Sequence, residues 1–148
     1  MVLRMNKVAI GVFAAVVPAG LYLMMGAADA PNVADTKPEA EAGLLVDVMI
    51  PARFTAQQAM GQIAFEANCV VCHGVNAAGR DGVGPPLVHK IYEPSHHGDE
   101  AFQRAVALGV QAHHWPFGNM AAIEGLTRAD VATIVSYIRA LQVENGIN

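Results

Sequence analysis

The sequence predicts an all-α domain of about three main helices behind an N-terminal apolar helix, and three observations predict it. Thr55-Ala56-Gln57-Gln58 is a capping box just ahead of apolar residues at helical spacing. Val131, Ile134, Val135, Ile138 and Leu141 recur at three- and four-residue steps, the stripe of a core-facing helix. Between them, Cys69-Val70-Val71-Cys72-His73 sets two thiols and an imidazole on one helical turn.

From the N-terminus, Val8 to Ala28 carries no charged residue. As a helix it would extend about 31 Å, enough to cross a bilayer. Arg4 and Lys7 precede it and Asp29 follows, so the positive-inside rule holds the N-terminus in the cytoplasm and exports the rest. Pro18 and Gly20 would kink the helix, which a membrane span tolerates. A cleavable signal peptide is the rival, because Gly26-Ala27-Ala28 and Ala28-Asp29-Ala30 both resemble small-x-small cleavage sites; the length of the apolar run favours a retained anchor. Residues 1–28 are therefore read as anchor or signal, and 29–52 as a linker. Its first part is acidic, alanine- and proline-rich, and behaves as an extended tether. Its second part, Leu44 to Ile50, is an apolar strip broken by Asp47 and expected to lie extended on the domain. The domain proper is set at 53–148.

The first helix starts at Thr55, with Met60, Ile63, Ala64 and Ala67 at helical spacing and Gly61 and Phe65 sharing a face. It delivers the chain to Cys69. Glycines 74, 79, 82 and 84 imply an irregular loop wrapped round a large flat ligand. The stretch lacks the preceding strand and the Gly-Lys-Ser/Thr ending of a phosphate loop. Gly84-Pro85-Pro86-Leu87 then stiffens the chain. Asp99 is expected to cap a second helix, Glu100 to Leu108, with Phe102, Ala105 and Val106 on its apolar face and Gly109 as its stop. Pro116 and Gly118 forbid a regular helix in 111–120. Thr127 caps the last helix, with Asp130 completing a capping-box pair.

Cys-x-x-Cys-His is the attachment signature of c-type haem. Each thiol can form a thioether to one vinyl group, and His73, four residues after Cys69, can ligate iron from the same face. Its other ring nitrogen then needs an acceptor. Structural zinc would need two more ligands at zinc-like spacing, and no third cysteine exists. A redox pair would sit in a βαβ context that the sequence lacks, and a plain disulfide leaves His73 without a role. One tryptophan and five phenylalanines make a modest core that a bound haem would complete. A net charge of −4 argues against nucleic acid. The pairs His96/His97 and His113/His114 do not define a ligand geometry by spacing, and are read as loop histidines near the haem edge.

Over about residues 55 to 142 the chain resembles class I, mitochondrial-type bacterial cytochromes c. The resemblance rests on the order of its motifs: Gly61 and Phe65 before Cys69-x-x-Cys72-His73, then Gly84-Pro85-Pro86-Leu87, a loop with one methionine, and a helix with Tyr137. It implies helices wrapped around one covalent haem c with its iron. It implies also that Gly61 and Phe65 meet the last helix near Ile134 and Tyr137, that the Pro85 carbonyl accepts from His73, and that Met120 is the sixth iron ligand. The residues alone leave His89, His113 and His114 as rivals to Met120. Met60 sits on the same helix as the motif, and Met49 lies in the strip. Here Ala121 follows Met120, where the family often has proline.

The expected function is one-electron transfer without catalysis and without a small-molecule substrate, because two protein axial ligands leave no open iron site. Partners would be membrane respiratory or photosynthetic complexes, with the domain tethered on the periplasmic side of a bacterial inner membrane, or soluble there if the signal is cleaved. The alternative is a haem c subunit of a periplasmic dehydrogenase, with Leu44 to Ile50 as its interface. A weaker third reading, a ligand-binding haem protein, requires Met120 to leave the iron free.

Overall fold

A computed structural model describes residues 43–148. The expected anchor or signal at Val8–Ala28 and the tether at 29–42 lie outside the described residues. Within them no helix is long and apolar enough to cross a membrane.

Helix α1, Ala56–Asn68, begins where the capping box sets it. The Gln58 N–H donates to Thr55 Oγ1 at 3.2 Å, and the Thr55 N–H donates to Gln58 Oε1 at 2.9 Å. A single-turn helix α2, Val70–His73, follows at once. Helix α3 is Asp99–Leu108 and helix α4 is Arg128–Glu144. The Thr127–Asp130 capping box starts α4 as expected. Among the described residues there are isolated bridges but no strand, so the all-α expectation holds.

The core is the crossing of α1 and α4. Phe65, Ile134, Tyr137, Ile138 and Leu141 are buried there, each side chain contributing about 1.5–3 kcal/mol. The Phe65 and Tyr137 rings lie 5.6 Å apart, and Phe54 meets Tyr137 edge-on at 5.4 Å. Gly61 makes the crossing possible: a Cβ there would collide with the Thr133 carbonyl of α4. The Tyr137 hydroxyl donates to Asn76 Oδ1 at 3.3 Å. Burial, then the charge of Glu66, pushes that phenol up to about 12, so it stays a donor.

Two expectations need correction. Met60 and Ile63 are 56% and 69% exposed, and Ala67 is exposed too; the buried residues of α1 are Gly61 and Phe65. Close backbone approach at Gly61, not the hydrophobicity of the neighbouring positions, selects the packed face. Asp99 does not cap α3. Gly98 holds the N-cap position and Asp99 is the first helical residue, where its charge suits the positive end of the helix. Its carboxylate turns to Arg139 of α4 at 2.9 Å instead.

The glycine-rich loop folds on itself. The Gly79 N–H donates to the His73 carbonyl at 2.7 Å, and the Arg80 N–H to the Gly84 carbonyl at 2.9 Å. Over it lies the strip, which bends at Leu45 and Val46. Leu45 and Val46 N–H groups share the Ala78 carbonyl, each at 3.2 Å. At the other end Met49 exchanges two hydrogen bonds with the Asn145 side chain, at 2.9 and 2.8 Å. The packed body therefore extends N-terminal to Arg53. A Cβ at Gly79 would lie 2.9 Å from Leu45 Cδ1 and 2.5 Å from Pro86 N, so this glycine serves loop-to-strip packing.

Candidate functional site

Helix α3 has no buried residue, although Phe102, Ala105 and Val106 form an apolar face. That face lines a cavity of about 630 Å³, opposed by Val131, Ile134, Val135 and Ile138 of α4. Left unfilled, a space this size would leave a large area of apolar wall without a partner to bury it. These walls are built to close on a large apolar group.

Cys69, His73, Pro85 and Met120 line this one cavity, from three separate parts of the chain. Cys72 is exposed and outside the lining. The glycine-rich loop does not wrap the cavity either; its segment contributes only from Pro85 onward. Gly84 lets that segment run against α2, since a Cβ there would lie 2.5 Å from the Cys72 carbonyl.

His73 Nδ1–H donates to the Pro85 carbonyl at 2.9 Å. A carbonyl only accepts, so the proton is on Nδ1 and Nε2 carries the lone pair. Burial lowers the His73 pKa, and the Pro85 bond offsets part of that; the ring is neutral at neutral pH. Burial, with the neighbouring Cys72, pushes Cys69 up to about 11. A reactive redox cysteine has a depressed pKa. Cys69 is a neutral thiol in an apolar wall, which disfavours that role.

Met120 sits at the neck of the 110–120 loop. Val110 and Met120 exchange both backbone hydrogen bonds, each at 2.9 Å, and the Ala112 N–H donates to Asn119 Oδ1 at 2.9 Å. Trp115, on the same loop, lines the cavity, and its ring stacks on Phe117 at 5.9 Å. Its Nε1 is buried with no partner at hydrogen-bond geometry. The Tyr92 hydroxyl is close enough for the indole to ease its ionisation, yet burial dominates and raises the Tyr92 pKa. An unpartnered indole N–H calls for an acceptor on whatever fills the cavity. A haem propionate is such an acceptor. With apolar walls, two cysteines and a neutral imidazole on one turn, the residues present fit haem.

Three features were not found from sequence. The histidine pairs converge: His96 Nε2 and His114 Nε2 are 3.4 Å apart, and the rings of His113 and His114 are centred 4.3 Å apart. Lost hydration, then the charges of His113, His97 and His96, lower the His114 pKa. Gln142, wholly buried, donates to the Leu87 and Tyr92 carbonyls at 2.8 and 3.1 Å. The third is Arg139, whose side chain is only 16% exposed. Its guanidinium donates to the Tyr92 carbonyl (2.7 Å), Gln142 Oε1 (2.6 Å), the His97 carbonyl (2.6 Å) and Asp99 (2.9 Å), and lies 5.0 Å over the Phe102 ring. A single cation in the apolar stretch of α4 was the available signal.

Arg139→Leu is expected to destabilise the haem-loaded protein by about 2–4 kcal/mol, since it strands the His97 carbonyl and Gln142 Oε1 and loosens the 92–99 segment from α4. Arg139→Lys should recover little, because a point donor does not reproduce the fork. Thermal unfolding checks this; a lysine variant as stable as wild type would show that the fork is dispensable.

The family model described as Cytochrome c matches residues 58–142, more than half of the chain. No curated protein matches the sequence.

Proposed function

The chain belongs to the cytochrome c family, whose members bind covalently attached haem c with iron, and from that premise we propose that it is a one-electron carrier with His73 and Met120 as axial ligands. The group supplies a ferric/ferrous couple when bound. The observation that carries the reading is the convergence of Cys69, His73, Pro85 and Met120 on one apolar cavity. Cys69 and Cys72 hold the group, and His73 offers Nε2 because Pro85 occupies Nδ1. Met120 supplies the soft thioether. Of its rivals, His89 lies outside the cavity lining and its Nδ1 accepts from the Ile91 N–H at 3.2 Å, whereas His113 and His114 line the cavity but are exposed, with their rings tilted against each other. Trp115 and the apolar walls exclude water and favour the uncharged environment in which a thioether competes well.

A potentiometric titration of the haem-loaded chain tests this. It should follow a one-electron curve, and the ferric protein should show the sulfur-to-iron charge-transfer band. Native protein that binds carbon monoxide stoichiometrically would sink the reading.

Val8–Ala28 acts as a retained anchor that keeps the domain at the periplasmic face, near respiratory or photosynthetic membrane complexes. A tether raises effective concentration at those partners. Support comes from the charge-free stretch behind Arg4 and Lys7. The protein should then resist high-salt washing of membranes and dissolve only in detergent; a mature N-terminus at Asp29 or Pro31 by mass spectrometry would overturn it.

The second reading, a subunit of a periplasmic dehydrogenase, has one observation in its favour. Met49 and Ile50 at the end of the strip are 61% and 50% exposed, whereas Val48 packs on the core. Met49→Ser with Ile50→Ser should cost a subunit its catalytic partner on co-purification and leave a shuttle unaffected.

A further inference from the structure

We propose that His96, His97 and His114 form a binding site for a divalent ion of the copper–zinc class at the edge of the haem cavity. The site rests on the reading above that Met120, not His114, is the iron ligand, and the haem spectrum of the variant below tells failure of that reading from failure of this one. Each of the three offers one ring nitrogen, and the three ligand atoms lie within 4.8 Å of one another. His96 Nε2 and His114 Nε2 are 3.4 Å apart. Two nitrogens bound tetrahedrally at about 2.0–2.1 Å from one ion are separated by about 3.3–3.4 Å, so this pair already spans one edge of a coordination tetrahedron.

The surroundings also suit ligation. His97 Nδ1–H donates to the Ile91 carbonyl at 2.6 Å, which fixes the ring and leaves Nε2 with the lone pair. A backbone carbonyl on the second ring nitrogen is the common support of a metal-binding histidine. The turn beneath is held: the His96 and His97 N–H groups donate to the Glu93 carbonyl at 3.0 and 2.8 Å, and Arg139 grips the His97 carbonyl at 2.6 Å. His114 rides on the loop closed by the Val110–Met120 pair. His96 and His114 are exposed, so an ion has a way in and its fourth position faces water.

The donor set selects the ion. Three imidazoles without a carboxylate or thiolate suit zinc and copper and disfavour calcium and magnesium. The nearby Glu93 carboxylate is engaged by Lys90 at 3.2 Å. Between the two ions, Cu²⁺ should bind more tightly. Bound metal would staple the turn carrying His96 and His97 to the loop carrying His114, whose neck holds Met120.

The test adds Cu²⁺ or Zn²⁺ alone to the haem-loaded full chain. One equivalent of either should survive equilibrium dialysis at micromolar free metal, Cu²⁺ should show nitrogen hyperfine coupling in its electron paramagnetic resonance spectrum, and Zn²⁺ should raise the thermal midpoint. His96→Ala combined with His114→Ala should weaken binding by at least about tenfold and abolish the thermal shift. The haem spectrum of that variant should match wild type, which separates loss of this site from loss of an iron ligand. Absence of binding by the wild type, or an unchanged affinity in the double variant, would overturn the proposal.

Discussion

Met120→Ala is expected to lower the reduction potential by a large share of the ~0.8 V that axial ligands span across haem proteins. A thioether is soft and neutral and favours ferrous iron; water or an imidazole in its place favours ferric iron. The substitution should leave the fold largely intact. The Met120 backbone is pinned to Val110 by two hydrogen bonds at 2.9 Å, and neither involves the side chain. The ferric charge-transfer band should vanish, and carbon monoxide and cyanide should bind where they did not before. Met120→His should lower the potential while still excluding those ligands. The decisive control is His113→Ala with His114→Ala. Should wild type lack the sulfur band and this control open the iron, Met120 is loop packing and both ligands are histidines.

How much of this was legible in the sequence depended on how local each signal is. The two capping boxes were readable because Thr55 with Gln58, and Thr127 with Asp130, settle a helix start within four residues. The stripe of α4 was readable because every member is buried, although Val131 and Val135 turn to the cavity and not to the core cluster. The packed face of α1 was not read from hydrophobicity: Met60 and Ile63 have the helical spacing, yet they point to solvent. What decides that face is a backbone approach at Gly61, a relation to Thr133 that no periodicity shows. Only the family resemblance pointed to it. Asp99 is an ordinary capping residue by type, and a charge forty positions away at Arg139 engages it. The histidine cluster needs the fold to bring His96 within 3.4 Å of His114. Spacing within each pair carried no trace of it.

Gly61→Ala is expected to destabilise the haem-loaded protein by about 3 kcal/mol or more, beyond the usual 1–3 kcal/mol of a tight overpacked site. Two effects compete. Alanine in a helix interior gains about 1 kcal/mol over glycine. Against that, the new Cβ would strike the Thr133 carbonyl oxygen, lie 2.6 Å from its carbon and come within 3.0 Å of Tyr137 Cβ. The first two are backbone atoms within α4 and have no rotamer to yield. The helices must therefore separate, and that separation reaches Phe65 and Tyr137, 0% and 1% exposed. Gly61→Val should fail to give stable protein, as its branches add to the same collision. Gly98→Ala is the matched control. Its nearest contact would be Pro94 O at 3.5 Å, so it should cost only the roughly 1 kcal/mol or less by which alanine is the poorer N-cap. Thermal unfolding of the three variants reads the difference. Should Gly61→Ala melt with Gly98→Ala, α1 and α4 do not need this approach, and the crossing is held by the aromatic contacts alone.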